Sequence, residues 1–191
     1  MSDEFKYNTE EIVHNSNVSS SYQPEIYPLV DENDPILREV MPEWDFSNPP
    51  TDAKKLASGL VDTCIYYRGY GLSANQCGLK HRVFVMGSGE EYVAFFNPKI
   101  ISTTGEKHMA EGCLSFPFLG LSITRPEVVN VEYQDYNGEV KKATFSGISA
   151  RCFLHELDHM NGIVYTTKVK PLALQMGMQK RKKLMKKFGI K

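Results

Sequence analysis

Residues 148–160 of the chain read ISARCFLHELDHM, and they contain the spacing His155-Glu156-Leu157-Asp158-His159. The stretch predicts a helix, with Asn161-Gly162 as its C-terminal stop. Positions four residues apart share one face of a helix, so both imidazoles can reach one metal ion. Glu156, on the adjacent turn, can reach a water on that metal without being a ligand, as in HExxH zinc hydrolases. The alternative is a chance match on a helix that carries two solvated histidines.

The two imidazoles leave a catalytic metal site short of protein ligands, since such sites usually have three ligands and a water. No His, Cys, Asp or Glu follows His159, so the third ligand must lie upstream. Cys113 is the candidate and His108 the rival, with an exposed loop histidine as the alternative for the latter. A thiolate with two imidazoles suits Zn or Fe(II) better than Mg or Ca.

Length and composition bound the class of protein. The chain has 191 residues, about one domain, and its 41% hydrophobic and 24% charged residues are typical of a soluble globular protein. No apolar run approaches the roughly 18 residues of a membrane span. Residues 1–21 are polar and predict a flexible extension, which leaves 22–191 as a single domain. The N-terminal sequence MSDEFKYNTEE predicts neither a secretory signal nor a transit peptide, and hence a cytoplasmic location.

The remaining patterns predict one α+β domain. Apolar residues from Ala53 to Ile65 recur at spacings of three and four, which predicts an amphipathic helix that Thr51 or Asp52 caps. A C-terminal helix is predicted over Pro171–Phe188. Two β-hairpins are also predicted, the second around Asn137-Gly138. Their strands are Arg82–Met86 with Tyr92–Phe96, and Val128–Tyr133 with Val140–Phe145.

Three motifs occur in a fixed order along the chain: Gly69-Tyr70-Gly71-Leu72-Ser73-Ala74-Asn75-Gln76, Glu111-Gly112-Cys113-Leu114-Ser115, and His155 to His159. Together, in this order and at this chain length, they resemble the peptide deformylase family over roughly residues 24–188. The resemblance implies an α+β fold with antiparallel or mixed sheets around a central HExxH helix, and an N-terminal and a C-terminal helix. The motif wording favours a bacteriophage-encoded version.

The resemblance also implies the metal site. Cys113, His155 and His159 hold one divalent ion per chain, which is Fe(II) in the cell, with Zn, Ni or Co able to substitute. Such an ion lowers the pKa of bound water from 15.7 towards about 7 and polarises the formyl oxygen. Glu156 is then the general acid/base that takes the proton from the water and returns it to the departing amine.

The resemblance also implies a pair of hydrogen-bond donors for the reaction and an ion pair that supports the site. Gln76 and the backbone N–H of Leu114 donate hydrogen bonds to the developing oxyanion. Glu111 and Arg125 form an ion pair that braces the Cys113 loop. The alternative for the second pair is two unrelated surface charges.

The implied substrate is the N-terminal formylmethionine of nascent polypeptides, from which the enzyme removes the formyl group as formate. The chain departs from the family where Tyr70 replaces a small aliphatic residue and Ser73 a common alanine. Arg151 replaces an often apolar residue, and it either narrows the side-chain pocket or lies along its edge. The expected substrate-binding residues are Gly71, Tyr70, Leu72, Ile148 and Cys152.

Charge is distributed unevenly along the chain. Residues 160–191 hold nine basic and no acidic groups, whereas the first 159 residues hold 13 basic and 23 acidic groups. Bacterial members of the family use a C-terminal helix on the ribosome, so the resemblance implies contact with ribosomal RNA phosphates. The alternative is the solvated face of an amphipathic helix. The basic cluster of this predicted helix comprises Lys180, Arg181, Lys182, Lys183, Lys186 and Lys187.

The sequence also predicts a monomer that does not bind membranes.

Two other functions fit parts of this pattern. An HExxH metallopeptidase shares the helix motif but gives no reason for the motifs around Gln76 and Cys113. A non-catalytic metal-binding or RNA-binding domain has no need of a general base such as Glu156. The deformylase interpretation accounts for all three motifs.

Overall fold

A computed structural model describes residues 23–89 and 91–189 of the chain. The predicted flexible extension over 1–21 lies outside these residues. The helices of the described part are α1 (Ala53–Tyr66), α2 (Gly147–Met160) and α3 (Pro171–Lys187). Its strands are β1 (Gly71–Ser73), β2 (Val83–Ser88), β3 (Glu91–Thr104), β4 (Lys107–Cys113), β5 (Phe116–Arg125), β6 (Val128–Gln134) and β7 (Val140–Ser146).

The strands form two antiparallel sheets. The main sheet has the order β1-β2-β3-β6-β7, and β4 pairs with β5 in a separate two-stranded sheet. The β2–β3 and β6–β7 pairings confirm both predicted hairpins. The α+β fold is therefore confirmed, and all pairings between the described strands are antiparallel rather than mixed. Strand β1 lies at one edge of the main sheet, which leaves one of its sides open.

The main sheet buries both faces because successive side chains of a strand point to opposite sides. On β2, Phe84 and Met86 belong to the core that α2 closes, whereas Val83 and Val85 belong to the core that α1 closes. Phe153 of α2 has its ring 5.2 Å from that of Phe84. The helix with the HExxH motif is therefore packed directly onto the sheet.

The predicted N-terminal helix is confirmed, and the structure identifies its cap. The carboxylate of Asp52 accepts a hydrogen bond from the backbone N–H of Lys55 at 2.6 Å. Thr51 is thus not the capping residue. The helix ends at Tyr66, and two residues later Arg68 has the left-handed backbone conformation, with φ of 57°.

Helix α3 packs on β5 through Gly177 and Arg181, which are one turn apart. A Cβ atom on Gly177 would lie 2.7 Å from the side chain of Leu121. Arg181 is 7% exposed, and it donates to the carbonyl of Pro117 at 2.9 Å and to the Glu32 carboxylate at 3.0 Å. Its assignment to the basic cluster was wrong, because it faces β5 and anchors the helix.

No helix of the described residues combines the length and apolar character that a membrane crossing requires.

Candidate active site

Cys113, His155 and His159 bring three metal-binding atoms together at the centre of the fold. These atoms all lie within 4.8 Å of one another, and Cys113 Sγ is 3.3 Å from His159 Nε2. The histidines are buried one turn apart on α2, and Cys113 ends β4. A thiolate and two imidazoles at this spacing fit Zn or Fe(II). His108 lies outside the group, exposed and hydrogen-bonded to Thr124.

The two histidines differ in their electrostatic surroundings. Burial and the neighbouring His155 hold the pKa of His159 well below its ordinary value. Burial also acts to lower the pKa of His155, but hydrogen bonds with Cys113 and Glu111 outweigh it and raise the pKa to about 10. Since metal ligation requires a neutral imidazole, loading this site releases a proton.

Glu111 is a buried carboxylate held by two arginines. Arg125 donates to both of its oxygens, at 2.8 and 2.6 Å, and Arg151 donates to Oε2 at 2.9 Å. Burial acts to raise the pKa of Glu111, but the hydrogen bonds from Arg125 and His155 lower it far below its ordinary value. Glu111 Oε1 lies 3.2 Å from Nδ1 of His155, which leaves the Nε2 of that ring for a metal.

The arginines tie this carboxylate to the surrounding fold. Arg125 also donates to Asp158 at 2.7 Å, and Lys168 approaches the same Asp158 oxygen at 3.1 Å. Arg151 donates to the carbonyls of Ile123 and Lys107 at 3.0 and 2.7 Å. The charged end of Arg151 is therefore bound away from solvent. These partners of Arg151 could not be predicted from the sequence, because they depend on strands that fold against α2.

Glu156 is 4% exposed, and its carboxylate has a fixed orientation. Its Oε2 accepts a hydrogen bond from the Ser73 hydroxyl at 2.7 Å. Burial raises the pKa of Glu156, while the charge on His155 and the Ser73 hydrogen bond lower it. A Cβ atom on Gly71 would lie 2.6 Å from Glu156 Oε1. The glycine therefore leaves the room that the carboxylate occupies, and Ser73 is a contact that the sequence analysis missed.

Hydrogen bonds to both the oxygen and the nitrogen of the Gln76 side-chain amide fix its orientation. Its Oε1 accepts from the backbone N–H of Ser73 at 2.9 Å. Its Nε2 donates to Ser115 Oγ at 3.0 Å and to Cys113 Sγ at 3.4 Å. The NH₂ group thus points toward the Cys113 loop, which Leu114 continues.

A cleft of about 670 Å³ opens onto these groups. Gly71, Tyr70, Ile148 and Cys152 line it, as expected of substrate-binding residues. The assignment of Leu72 was wrong, because its side chain is fully buried in the core beneath α1. Alternation along β1 turns it away from the cleft. Other residues that the sequence did not indicate also line the cleft, among them Tyr67, Arg68, Met109 and Phe118.

None of the four cysteines forms a disulfide. Burial raises the pKa of Cys77 to about 12 and that of Cys152 well above its ordinary value. Cys152 is therefore a neutral part of the cleft wall rather than a further thiolate near the metal-binding group.

Comparisons with known proteins agree with this geometry. A sequence profile described as polypeptide deformylase matches residues 26–175. The peptide deformylase of Thermotoga neapolitana is 38% identical over 150 residues, which span 78% of this chain and 89% of that protein. A crystal structure of a peptide deformylase from Legionella pneumophila has a TM-score of 0.77 at 32% identity, covering 87% of this chain and 99% of that one.

A third similar protein was crystallised with a peptide. The Met-Ala-Ser-bound structure of a peptide deformylase from Acinetobacter baumannii has a TM-score of 0.72 at 26% identity. It covers 77% of this chain and 100% of that one.

Proposed function

The chain belongs to the polypeptide deformylase family, and from this premise we propose that it removes the formyl group from N-terminal formylmethionine of nascent polypeptides, releasing formate. The observation that carries the proposal is the placement of Glu156. Its carboxylate borders the same cleft as Cys113 and His155, with His159 completing the group. A site that only bound metal would need no buried carboxylate at this position.

The three ligands proposed for the metal are Cys113, His155 and His159. Their donor atoms fit one divalent ion per chain, Fe(II) in the cell, with Zn, Ni or Co able to substitute. When bound, such an ion lowers the pKa of a coordinated water and polarises a carbonyl oxygen. Glu111 orients His155 for this role, and Arg125 and Arg151 hold Glu111.

Glu156 serves as general acid and base in this proposal. Ser73 holds one carboxylate oxygen, and the other lies beside Gly71 at the cleft. The carboxylate takes a proton from the attacking water and returns it to the amine that leaves. Without that proton the amine is too basic to depart.

Gln76 and the backbone N–H of Leu114 supply the oxyanion donors of the proposal. The amide of Gln76 is oriented by Ser73 and Ser115, and its second N–H, which points toward Cys113 Sγ at 3.4 Å, is the one that would turn to the oxyanion. Donors of this kind contribute about 2.7–4 kcal/mol each to transition-state stabilisation.

The substrate binds as an extended strand. The cleft is bordered by edge strand β1 and by strand β4, whose outer side is likewise unpaired within the described part of the chain. Strand addition to such edges is a common way of binding peptides. The Acinetobacter baumannii relative was crystallised with Met-Ala-Ser bound. The methionine side chain of the substrate then enters the pocket beside Ile148 and Cys152, with Tyr70 at the rim.

Formate release from a formyl-Met tripeptide tests the function. The protein is loaded anaerobically with Fe(II) or Ni(II), and both formate and formylmethionine are measured. We expect stoichiometric formate and a peptide with a free amino group. Formylmethionine without formate would favour the metallopeptidase alternative, and no product from folded, metal-loaded protein would contradict the proposal.

We also propose that α3 contacts ribosomal RNA. Its charge comes from exposed lysines, since Arg181 is buried against Glu32. Removing residues 176–191 would also remove Gly177 and Arg181, which dock the helix, so point substitutions test the charge more cleanly. The residues that carry it are Lys180, Lys182, Lys183, Lys186 and Lys187.

Substituting Lys182, Lys183, Lys186 and Lys187 together by glutamine is expected to weaken co-sedimentation with ribosomes. Each lost phosphate contact should also lower the slope of log affinity against log salt by about 0.7–0.9. Turnover of a formyl tripeptide should not change, because the cleft is untouched. Glutamine at Lys142, 70% exposed on β7, is the control. An unchanged salt slope in the quadruple variant would contradict the proposal.

The cytoplasmic location, the monomeric state and the single domain over 22–191 stay predictions from the sequence.

A further inference from the structure

Arg68 is the exposed charge of the cleft. Among the described residues that line the cleft, the other charged groups are buried around Glu111 and Glu156. Arg68 is exposed, and its side chain makes no ion pair or hydrogen bond with any residue that the structure describes. Its guanidinium is therefore available to a bound molecule.

The backbone at Arg68 favours a different residue type. Its φ of 57° is left-handed, a conformation that glycine or asparagine adopts most easily at the end of a helix. The N–H of Arg68 bonds to the carbonyl of Ile65 at 2.9 Å, and the N–H of Gly69 bonds to that of Cys64 at 2.8 Å. These bonds end α1 without using the arginine side chain. The fold alone thus gives no reason for an arginine here.

Arg68 lines the same cleft as Glu156 and precedes Gly71 by three residues. Gly71 contacts Glu156, and three extended residues span at most about 11 Å, which bounds the distance from Gly71 to Arg68. The carbonyl of Gly69 accepts from the Tyr92 hydroxyl at 2.9 Å, which fixes the intervening segment. The residues that follow the methionine of a formyl peptide bound at Glu156 are therefore within reach of Arg68.

We propose that Arg68 is a specificity-determining residue that binds an acidic side chain at the second or third position of the formyl peptide. The inference rests on the proposed deformylase function and adds a preference to it. A guanidinium pairs with a carboxylate through two parallel hydrogen bonds. Because the rim is exposed, the pair is weak, and we expect a preference of about fivefold rather than an absolute requirement.

The test compares formyl-Met peptides that differ only in Glu, Gln or Lys at the second position, and a second set that differs at the third. Formate release gives kcat/KM for each peptide. In one of the two sets, the native enzyme should prefer Glu over Lys about fivefold, with Gln between them. The preference should vanish in about 1 M salt, where the Debye length is about 3 Å.

Variants of Arg68 separate charge from structure. Arg68→Glu should reverse the order of the peptides, and Arg68→Lys should keep it. Arg68→Gly and Arg68→Asn should remove the preference, so that the Glu, Gln and Lys peptides have about equal kcat/KM values. Both should melt no lower than the native protein, because these residues suit the left-handed backbone. Lys142→Glu, a charge reversal on β7, is the control and should leave the order unchanged.

Some results would contradict the role of Arg68 alone, and one would contradict the deformylase function as well. Active enzyme that hydrolyses Glu and Lys peptides at equal rates would overturn the role of Arg68 and leave the deformylase function standing. The same holds if Arg68→Glu keeps the native order, or if Arg68→Gly slows all peptides equally. No formate from any peptide would overturn both proposals.

Discussion

Replacing Glu156 by alanine is expected to lower formate release from a formyl-Met tripeptide by about 10²–10⁴-fold, the range that general acid–base groups contribute. The remaining rate would come from the metal and the oxyanion donors. The loss should appear in kcat, because the carboxylate acts on protons that move only during the reaction.

The Glu156→Ala variant should keep its fold and its metal. The Ser73 hydroxyl, which donates to Glu156 Oε2, also lies 3.2 Å from the backbone carbonyl of the same residue, so it keeps an acceptor. None of the proposed metal ligands is changed. Metal content per chain and the melting temperature are therefore measured beside the rate, with Glu132→Ala on β6 as a matched surface control. A variant that is well folded and metal-loaded, yet within about threefold of the native rate, would remove Glu156 from the mechanism.

The parts of the fold that the sequence predicted are those with strong local patterns. Helix α1 has apolar residues at helical spacing, and the β6–β7 hairpin has Asn137-Gly138 at its turn. The three motifs led to the metal-binding group and to Glu156 through the family resemblance. The spacing of the two histidines also predicted that they lie close together, since positions four apart on a helix share a face.

Strands β1, β4 and β5 were missed because their patterns are short or interrupted. On β5 the buried residues Leu119, Leu121 and Ile123 do alternate. Gly120 lies within that run and Pro117 just before it, and both residue types favour turns. β1 has only three residues, too few to show a period. This also explains the error at Leu72, since a neighbour in a strand points to the opposite face.

Contacts between residues far apart in the chain could not be predicted from the sequence either. Arg181 stands in a run of lysines and looks like one more solvated cation. Its partner Glu32 is 149 residues away in the chain, so only the packing of α3 shows that it is buried. Arg151 is a similar case, because its acceptors lie on Glu111 and on the backbone of β4 and β5.

Replacing Arg125 by methionine is expected to destabilise the protein by about 3–5 kcal/mol, the cost of leaving buried charges without a partner. Arg125 has a 4% exposed side chain and joins two acidic groups, Glu111 and Asp158. Methionine keeps much of the volume but offers no hydrogen bonds. At roughly 2–4 °C per kcal/mol for a domain of this size, the melting temperature should fall by about 10 °C. Lys80→Met is the control: its pair with Glu39 is 61% and 42% exposed and should contribute less than about 1 kcal/mol.

The same Arg125→Met variant tests whether the ion-pair network serves the metal site as well as the fold. Glu111 would still be held by Arg151 but would lose two hydrogen bonds, so its contact with Nδ1 of His155 should loosen. Loss of such an outer partner typically weakens metal binding about 10–100-fold. Competition with a chelator, at a temperature where both proteins are folded, measures this separately from stability. Weakened metal binding with a lower melting temperature would assign both roles to Arg125, because destabilisation alone does not move the affinity of the folded state. Native metal affinity in a destabilised variant would instead limit Arg125 to holding α2 against the β4–β5 sheet.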